Sequence, residues 1–139
     1  MEFRRISAAD MPGLKALQRA YKREIGEEAP TEADLDRLRG AIEAGQILFF
    51  GCFAEGEMLA CCSVSPTFST FDYRRGGVLE DFYVAPAYRH RGIARKLVEI
   101  ARRESGVSTL TVGSADCDLD MYRALGFTIS LGNLLAFGE

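Results

Sequence analysis

Apolar residues recur along this chain in two rhythms that change several times. Glu2 to Ile6 reads as a short first strand. Leu14, Leu17, Tyr21 and Ile25 then follow helical spacing. Ser7 or Asp10 stands where a cap belongs, Pro12 falls in the first turn, where a missing amide costs little, and Gly26 ends the pattern. A second helix is expected after Thr31, with Asp34 three residues on as a near capping box, Leu35, Leu38 and Ile42 as its buried stripe, and Gly45 closing it. Strands follow at Gln46–Ala54 and Met58–Ser65, joined by the turn Glu55-Gly56-Glu57. Pro66 to Gly77 is rich in Ser, Thr and Gly and carries Phe68, Phe71 and Tyr73. It reads as a long connection, of a length that is often functional.

Val78 to Val84 is an apolar strand bearing two acids, Glu80 and Asp81, and Pro86 stops it. Ile93, Leu97, Ile100 and Ala101 mark a helix that runs to Ser105-Gly106. Thr109 to Val112 is a short strand and Asp118 to Leu125 a short helix stopped by Gly126. Phe127–Leu131 and Leu134–Phe137 read as strands paired around Gly132-Asn133. The expected order is β-α-α-β-β-β-α-β-α-β-β: an α/β fold, with a mixed central sheet flanked by helices on both faces. No repeat or linker interrupts it, so residues 1–139 are read as one domain.

Composition narrows the picture. An apolar fraction of 47% supports a core, and a net charge of −3 implies no general affinity for nucleic acid. Against that acidic background, Arg89, Arg91, Arg95, Lys96, Arg102 and Arg103 cluster in sequence, which fits a small anionic ligand better than DNA. The four cysteines lack zinc-type spacing and His90 is the only histidine, so no metal site is expected. Three of the cysteines lie in strand-like segments and read as reduced core residues of a cytoplasmic protein, with Cys117 in a loop. Met1 leads directly into polar residues, and no apolar run is long enough to span a bilayer, so neither a signal peptide nor membrane attachment is expected.

The chemistry concentrates after Val84. Arg89-His90-Arg91-Gly92-Ile93-Ala94-Arg95 is a basic, glycine-containing turn that opens a helix directly after a strand. The first amides of a helix have no intrahelical partner and lie at the positive end of its dipole, which makes an anion site. Gly92 has no Cβ to keep a diphosphate away from the backbone. The dinucleotide fingerprint and the P-loop are both absent.

This turn resembles motif A of the GNAT superfamily of N-acetyltransferases, written [QR]-x-x-G-x-[GA] and met here by Arg89, Gly92 and Ala94, with Leu79 to Tyr88 preceding it in register. The resemblance covers essentially the whole chain and implies a GNAT-like sheet, acetyl-CoA as cosubstrate and direct acetyl transfer to an amine. It implies that Arg89 and the amides around His90, Arg91, Gly92, Ile93, Ala94 and Arg95 receive the diphosphate. Phe82, Tyr83 and Val84 would receive the pantetheine arm by strand addition, with an amide near Tyr83 or Val84 polarising the thioester carbonyl. Relatives are often dimers, so a homodimer is among the implied states.

Tyr122, in Asp120-Met-Tyr-Arg-Ala-Leu-Gly-Phe127, resembles the tyrosine that in many relatives protonates the departing thiolate. A phenol near about 10 and a thiol near about 8.5 are matched for that transfer. The position seven residues earlier, often Asn in the family, is Ala115 here. Adjacent strand residues point to opposite faces, so only one of Glu80 and Asp81 faces a given cleft unless the strand is bulged, as it is in the family. Phe68-Ser-Thr-Phe71 with Leu79-Glu-Asp-Phe-Tyr-Val84 resembles the diamine branch (spermidine/spermine and thialysine acetyltransferases), whose acids lie toward the amine. Either acid would bind the ammonium or take its proton through water. Arg74 and Arg75 would disfavour a polycation if they faced the cleft, so a basic amino-acid-like acceptor competes with a polyamine. Other expectations are a protein N-terminus or an aminoglycoside as acceptor, or an acyl-CoA-binding module without turnover.

Overall fold

The computed structural model describes residues 1–138. Nine elements follow in the expected order: β1 Glu2–Arg5, α1 Met11–Glu24, α2 Glu32–Glu43, β2 Leu48–Ala54, β3 Glu57–Ser69, β4 Arg74–Val84, α3 Ile93–Glu104, β5 Thr109–Val112 and α4 Leu119–Ala124. They build a five-stranded mixed sheet in the order β1-β2-β3-β4-β5. The first four strands are antiparallel neighbours, and β5 joins parallel to β4 through the α3 crossover.

The sheet separates two cores. On one side, Met11, Leu14 and Leu17 of α1 and Ile42 of α2 bury against Phe49, Cys61 and Tyr83. On the other, Ile93, Leu97, Ile100 and Ala101 of α3 cover Phe50, Cys62, Leu79 and Val84. Because both faces are covered, β2 and the first half of β3 read as nearly continuous apolar runs rather than alternations. Phe49 and Phe50, on opposite faces, are both fully buried, and truncating either to Ala should cost about 3–5 kcal/mol.

The helix starts follow their predicted chemistry. Thr31 Oγ1 accepts from the Asp34 amide at 3.1 Å while the Thr31 amide donates to Asp34 Oδ2 at 2.9 Å. The Ser7 amide donates to Asp10 Oδ2 at 2.8 Å, and Arg4 grips both Asp10 oxygens at 2.9 Å. The Arg4 guanidinium holds that carboxyl down at about 2, mainly through this hydrogen bond.

Two expected elements differ. Pro66 to Gly77 is not a long connection: β3 runs on to Ser69, β4 begins at Arg74, and only Thr70 to Tyr73 turn between them. The ladder continues as Pro66↔Gly77 through Ser69↔Arg74. Pairing with β2 stops at Val64, so Pro66 sits on an open edge, where a missing amide is tolerated. This extension is largely solvated, which is why its residues lack the apolar pattern of a strand. The C-terminal hairpin is also absent: among the described residues, 127–138 form no strand. Leu134 and Phe137 are 93% and 100% exposed; their alternation meets no face against which to bury.

Candidate active site

The site begins with a mismatch between β3 and β4. Cys62 pairs with Phe82 and Val64 with Leu79, so one residue of β3, Ser63, opposes two of β4, Glu80 and Asp81. This is a β-bulge, and it inverts the alternation of side chains. Leu79 packs toward α3. Beyond the bulge, Asp81 and Tyr83 point toward α1, where the Tyr83 ring meets that of Tyr21 at 6.1 Å. Glu80 is left exposed.

A bulge also strands backbone donors. The Asp81 amide donates to Ser63 Oγ at 3.0 Å, and the Ser63 hydroxyl donates to Asp81 Oδ2 at 3.3 Å. Gln18 Nε2 of α1 donates to the same oxygen at 3.5 Å. Burial is the main cause that raises the Asp81 carboxyl above the usual carboxylate range; these hydrogen bonds and Lys22 pull the other way.

The second half of β4 has an open edge. Its pairing with β5 covers only Gly76–Leu79. The Asp81 amide and the Ala85 amide, the latter bonded to Leu59 C=O at 2.9 Å, both face β3. By the pleat's alternation, the amides of Phe82 and Val84 face the gap where β5 has departed. After Val112 the chain leads through a turn at Asp116–Asp118 into α4. Tyr122 of α4 packs edge-on against Phe82, at 6.5 Å between centroids, and against Phe127, at 5.9 Å. Burial raises the Tyr122 phenol, and Tyr21 and Asp118 add to the shift. Burial raises Tyr21 too, with Asp81 the next contributor.

The basic turn Arg89–Arg95 follows the same end of β4. His90 and Gly92 both have positive φ, +64° and +80°. The first intrahelical bond of α3 runs from the Lys96 amide to Gly92 C=O at 3.3 Å, which leaves the amides of Ile93, Ala94 and Arg95 ahead of it. A Cβ on Gly92 would meet nothing within 4 Å; the space in front of the turn is open.

The side chains of this turn divide. Arg89 Nε donates to Val84 C=O at 2.8 Å and its guanidinium pairs with Glu24 of α1 at 2.8 Å, beside the Tyr83 ring. Arg95 Nη2 donates to Ala124 C=O at 2.8 Å, capping α4. Ile93 is core, whereas His90 and Arg91 are exposed, Arg91 lying over Tyr88. Arg74 and Arg75 sit at the far end of β4, roughly 20 Å along the strand from Asp81 at about 3.3 Å per residue. Cys52, Cys61 and Cys62 are buried and Cys117 is exposed; burial pushes the Cys62 thiol up to about 12 and Cys61 well above its usual value.

A family model described as "Acetyltransferase (GNAT) domain" matches residues 45–129. The chain belongs to the GNAT acetyltransferases. It is therefore an N-acetyltransferase that uses acetyl-CoA. Among solved structures, a probable acetyltransferase superposes with a TM-score of 0.84 at 20% identity, over 100% of both chains. An aminoglycoside acetyltransferase from an uncultured soil metagenomic sample, in complex with sisomicin, gives 0.84 at 16% identity over 99% of this chain and 95% of that one. AAC(6')-Iy in complex with the bisubstrate analogue CoA-S-monomethyl-acetylneamine gives 0.82 at 18% identity over 99% and 97%. At these identities the likeness is one of fold. No curated protein matches the sequence significantly.

The residues present fit the cosubstrate of a GNAT enzyme. The amides of Ile93, Ala94 and Arg95 with the open face of Gly92 suit a diphosphate, and the Phe82 and Val84 amides suit an extended amide-bearing arm. Among the described residues no helix is long and apolar enough to cross a membrane. The buried pair Gln18 and Ser63 was not anticipated from sequence. The available signals were a glutamine in the apolar stripe of α1 and a serine in an otherwise apolar run of β3.

Proposed function

We propose that this GNAT enzyme acetylates a small primary amine, a polyamine or basic amino-acid-like molecule, by direct transfer, with Asp81 as base and Tyr122 as acid. One observation carries the reading: Asp81 and Tyr122 flank the open edge of β4 from its two faces. Acetyl-CoA supplies the activated acetyl group as a thioester. Asp81, directly or through a water, takes a proton from the acceptor ammonium, and the freed nitrogen attacks the carbonyl carbon. The Val84 amide donates to the oxygen on which negative charge develops. As the C–S bond breaks, the Tyr122 hydroxyl gives its proton to sulfur, and the second proton shed by the acylated nitrogen restores the phenol. A phenol raised by burial is fully protonated at neutral pH, as an acid must be. Glu80, exposed beside the bulge, attracts the cationic acceptor.

The placement of Arg74 and Arg75, far from Asp81, removes the objection to a polycation. Buried thiols at Cys61 and Cys62 favour direct attack over an acetyl-cysteine intermediate. An aminoglycoside is the second reading, favoured by two structural neighbours bound to sisomicin and to an acetylneamine analogue. Thiol release from acetyl-CoA, measured with spermidine, lysine, sisomicin and an N-terminal peptide, separates these acceptors. Turnover fastest with spermidine or lysine supports the reading; turnover confined to sisomicin or to the peptide overturns it.

A further inference from the structure

Asp81 is held by a polar pair in an otherwise apolar layer. Gln18 is 7% exposed and Ser63 is 0% exposed. Such groups are costly to bury unless each has a defined partner. Both donate to one carboxylate oxygen, Oδ2, at 3.5 and 3.3 Å. Ser63 is engaged twice, since its hydroxyl also accepts the Asp81 amide that the bulge takes out of the ladder. Among the described residues, no donor reaches Oδ1.

We infer that Gln18 and Ser63 are positioning residues: they fix Asp81 by Oδ2 and leave Oδ1 free to receive the acceptor's proton. The inference rests on the reading of Asp81 as base. The two elements contribute differently. Ser63, on β3, locks the backbone of the bulge as well as the carboxylate. Gln18, on α1, fixes only the carboxylate, and it shares its helix face with Tyr21 and Lys22 one turn on. Among the described residues, Lys22 favours its charge and Glu27 opposes it, while burial and, after it, the Asp81 charge in turn raise Tyr21, Cys61 and Cys62. Burial alone would favour the protonated acid; the two donors keep the basic form accessible.

The test uses the full chain and the variants Gln18→Leu, Ser63→Ala and Asp81→Asn. The midpoint of Asp81 is followed through its side-chain carboxyl carbon by NMR without acceptor, and kcat through thiol release with spermidine, lysine and sisomicin. In Gln18→Leu and in Ser63→Ala the midpoint should rise by about half a pH unit or more. Each should lower kcat at neutral pH by roughly 3- to 10-fold, with KM for acetyl-CoA unchanged, and Ser63→Thr should restore the midpoint. If Ser63→Ala does not fold, Gln18→Leu decides. An unmoved midpoint and unchanged kcat in Gln18→Leu, beside an Asp81→Asn that has lost activity, would overturn the positioning roles and leave the base in place. An Asp81→Asn with full kcat would overturn the base itself, and this inference with it.

Discussion

The Tyr122 ring meets the Phe82 ring edge-on, 6.5 Å between centroids and 79° between planes. Phe82 is also a residue whose amide faces the gap left by β5. One residue of β4 therefore presents its backbone to the open edge and its side chain to the residue proposed as acid. The contact places α4 against the open edge although α4 is only two turns long, and Arg95 holds its far end through Ala124 C=O.

Tyr122→Phe keeps that ring contact and removes only the hydroxyl. The expected result is a kcat lower by roughly 10²-fold or more, the low end for lost acid catalysis, with CoA affinity by calorimetry and the melting temperature nearly unchanged. A kcat within twofold of wild type, with chemistry rate-limiting, would remove Tyr122 from the mechanism.

Asp81→Asn should separate stability from activity. Burial raises the folded-state carboxyl above its unfolded value, so the ionised form is disfavoured on folding. That cost is absent below the unfolded pKa, grows as pH rises toward the folded pKa, and is complete above it. The Asn side-chain oxygen still accepts from Gln18 and Ser63 without carrying charge. The variant should thus be at least as stable as wild type at neutral pH, the two melting curves converging in acid, while kcat drops by about 10²-fold.

Much of this site was legible in sequence, and the reasons are physical. The basic Gly92 turn announced itself because a strand, a helix start and a phosphate-compatible glycine lie within a few residues of each other. The bulge was visible only by resemblance: β4 reads as unbroken strand, and which of Glu80 and Asp81 turns inward depends on Ser63, which is remote in sequence. Gln18 carried too little signal, since one polar residue in a helical stripe is common. The extension of β3 and β4 through Pro66 and Gly77 was hidden because solvated strand ends share the composition of loops. The C-terminal alternation of Phe127–Phe137 misled for the opposite reason: a period of two signals a strand only where a face exists to cover it.

Gly92 tests the anion-binding turn. Its φ of +80° disfavours any Cβ, yet no protein atom stands in the way of one. Gly92→Val should therefore cost stability by strain alone, on the order of 1–3 kcal/mol, while raising KM for acetyl-CoA about tenfold or more because the added side chain occupies the diphosphate's approach. A folded variant with wild-type KM would count against the cradle.

Arg89 tests the division of the basic side chains. Its guanidinium is committed to Glu24 and to Val84 C=O, so it joins α1 to the end of β4. A double-mutant cycle of Arg89→Ala and Glu24→Gln should show a coupling of about 0.2–1 kcal/mol in unfolding free energy, as expected for a partly exposed pair. The salt dependence of CoA binding should be that of wild type in Glu24→Gln.

The most direct measurement is amide hydrogen exchange with and without CoA, resolved by residue. The account predicts that Phe82 and Val84, whose amides face the gap, gain protection on CoA binding together with Ile93, Ala94 and Arg95, while Asp81 and Ala85, already bonded toward β3, change little. Continued free exchange at Phe82 and Val84 in the CoA-saturated protein would contradict it.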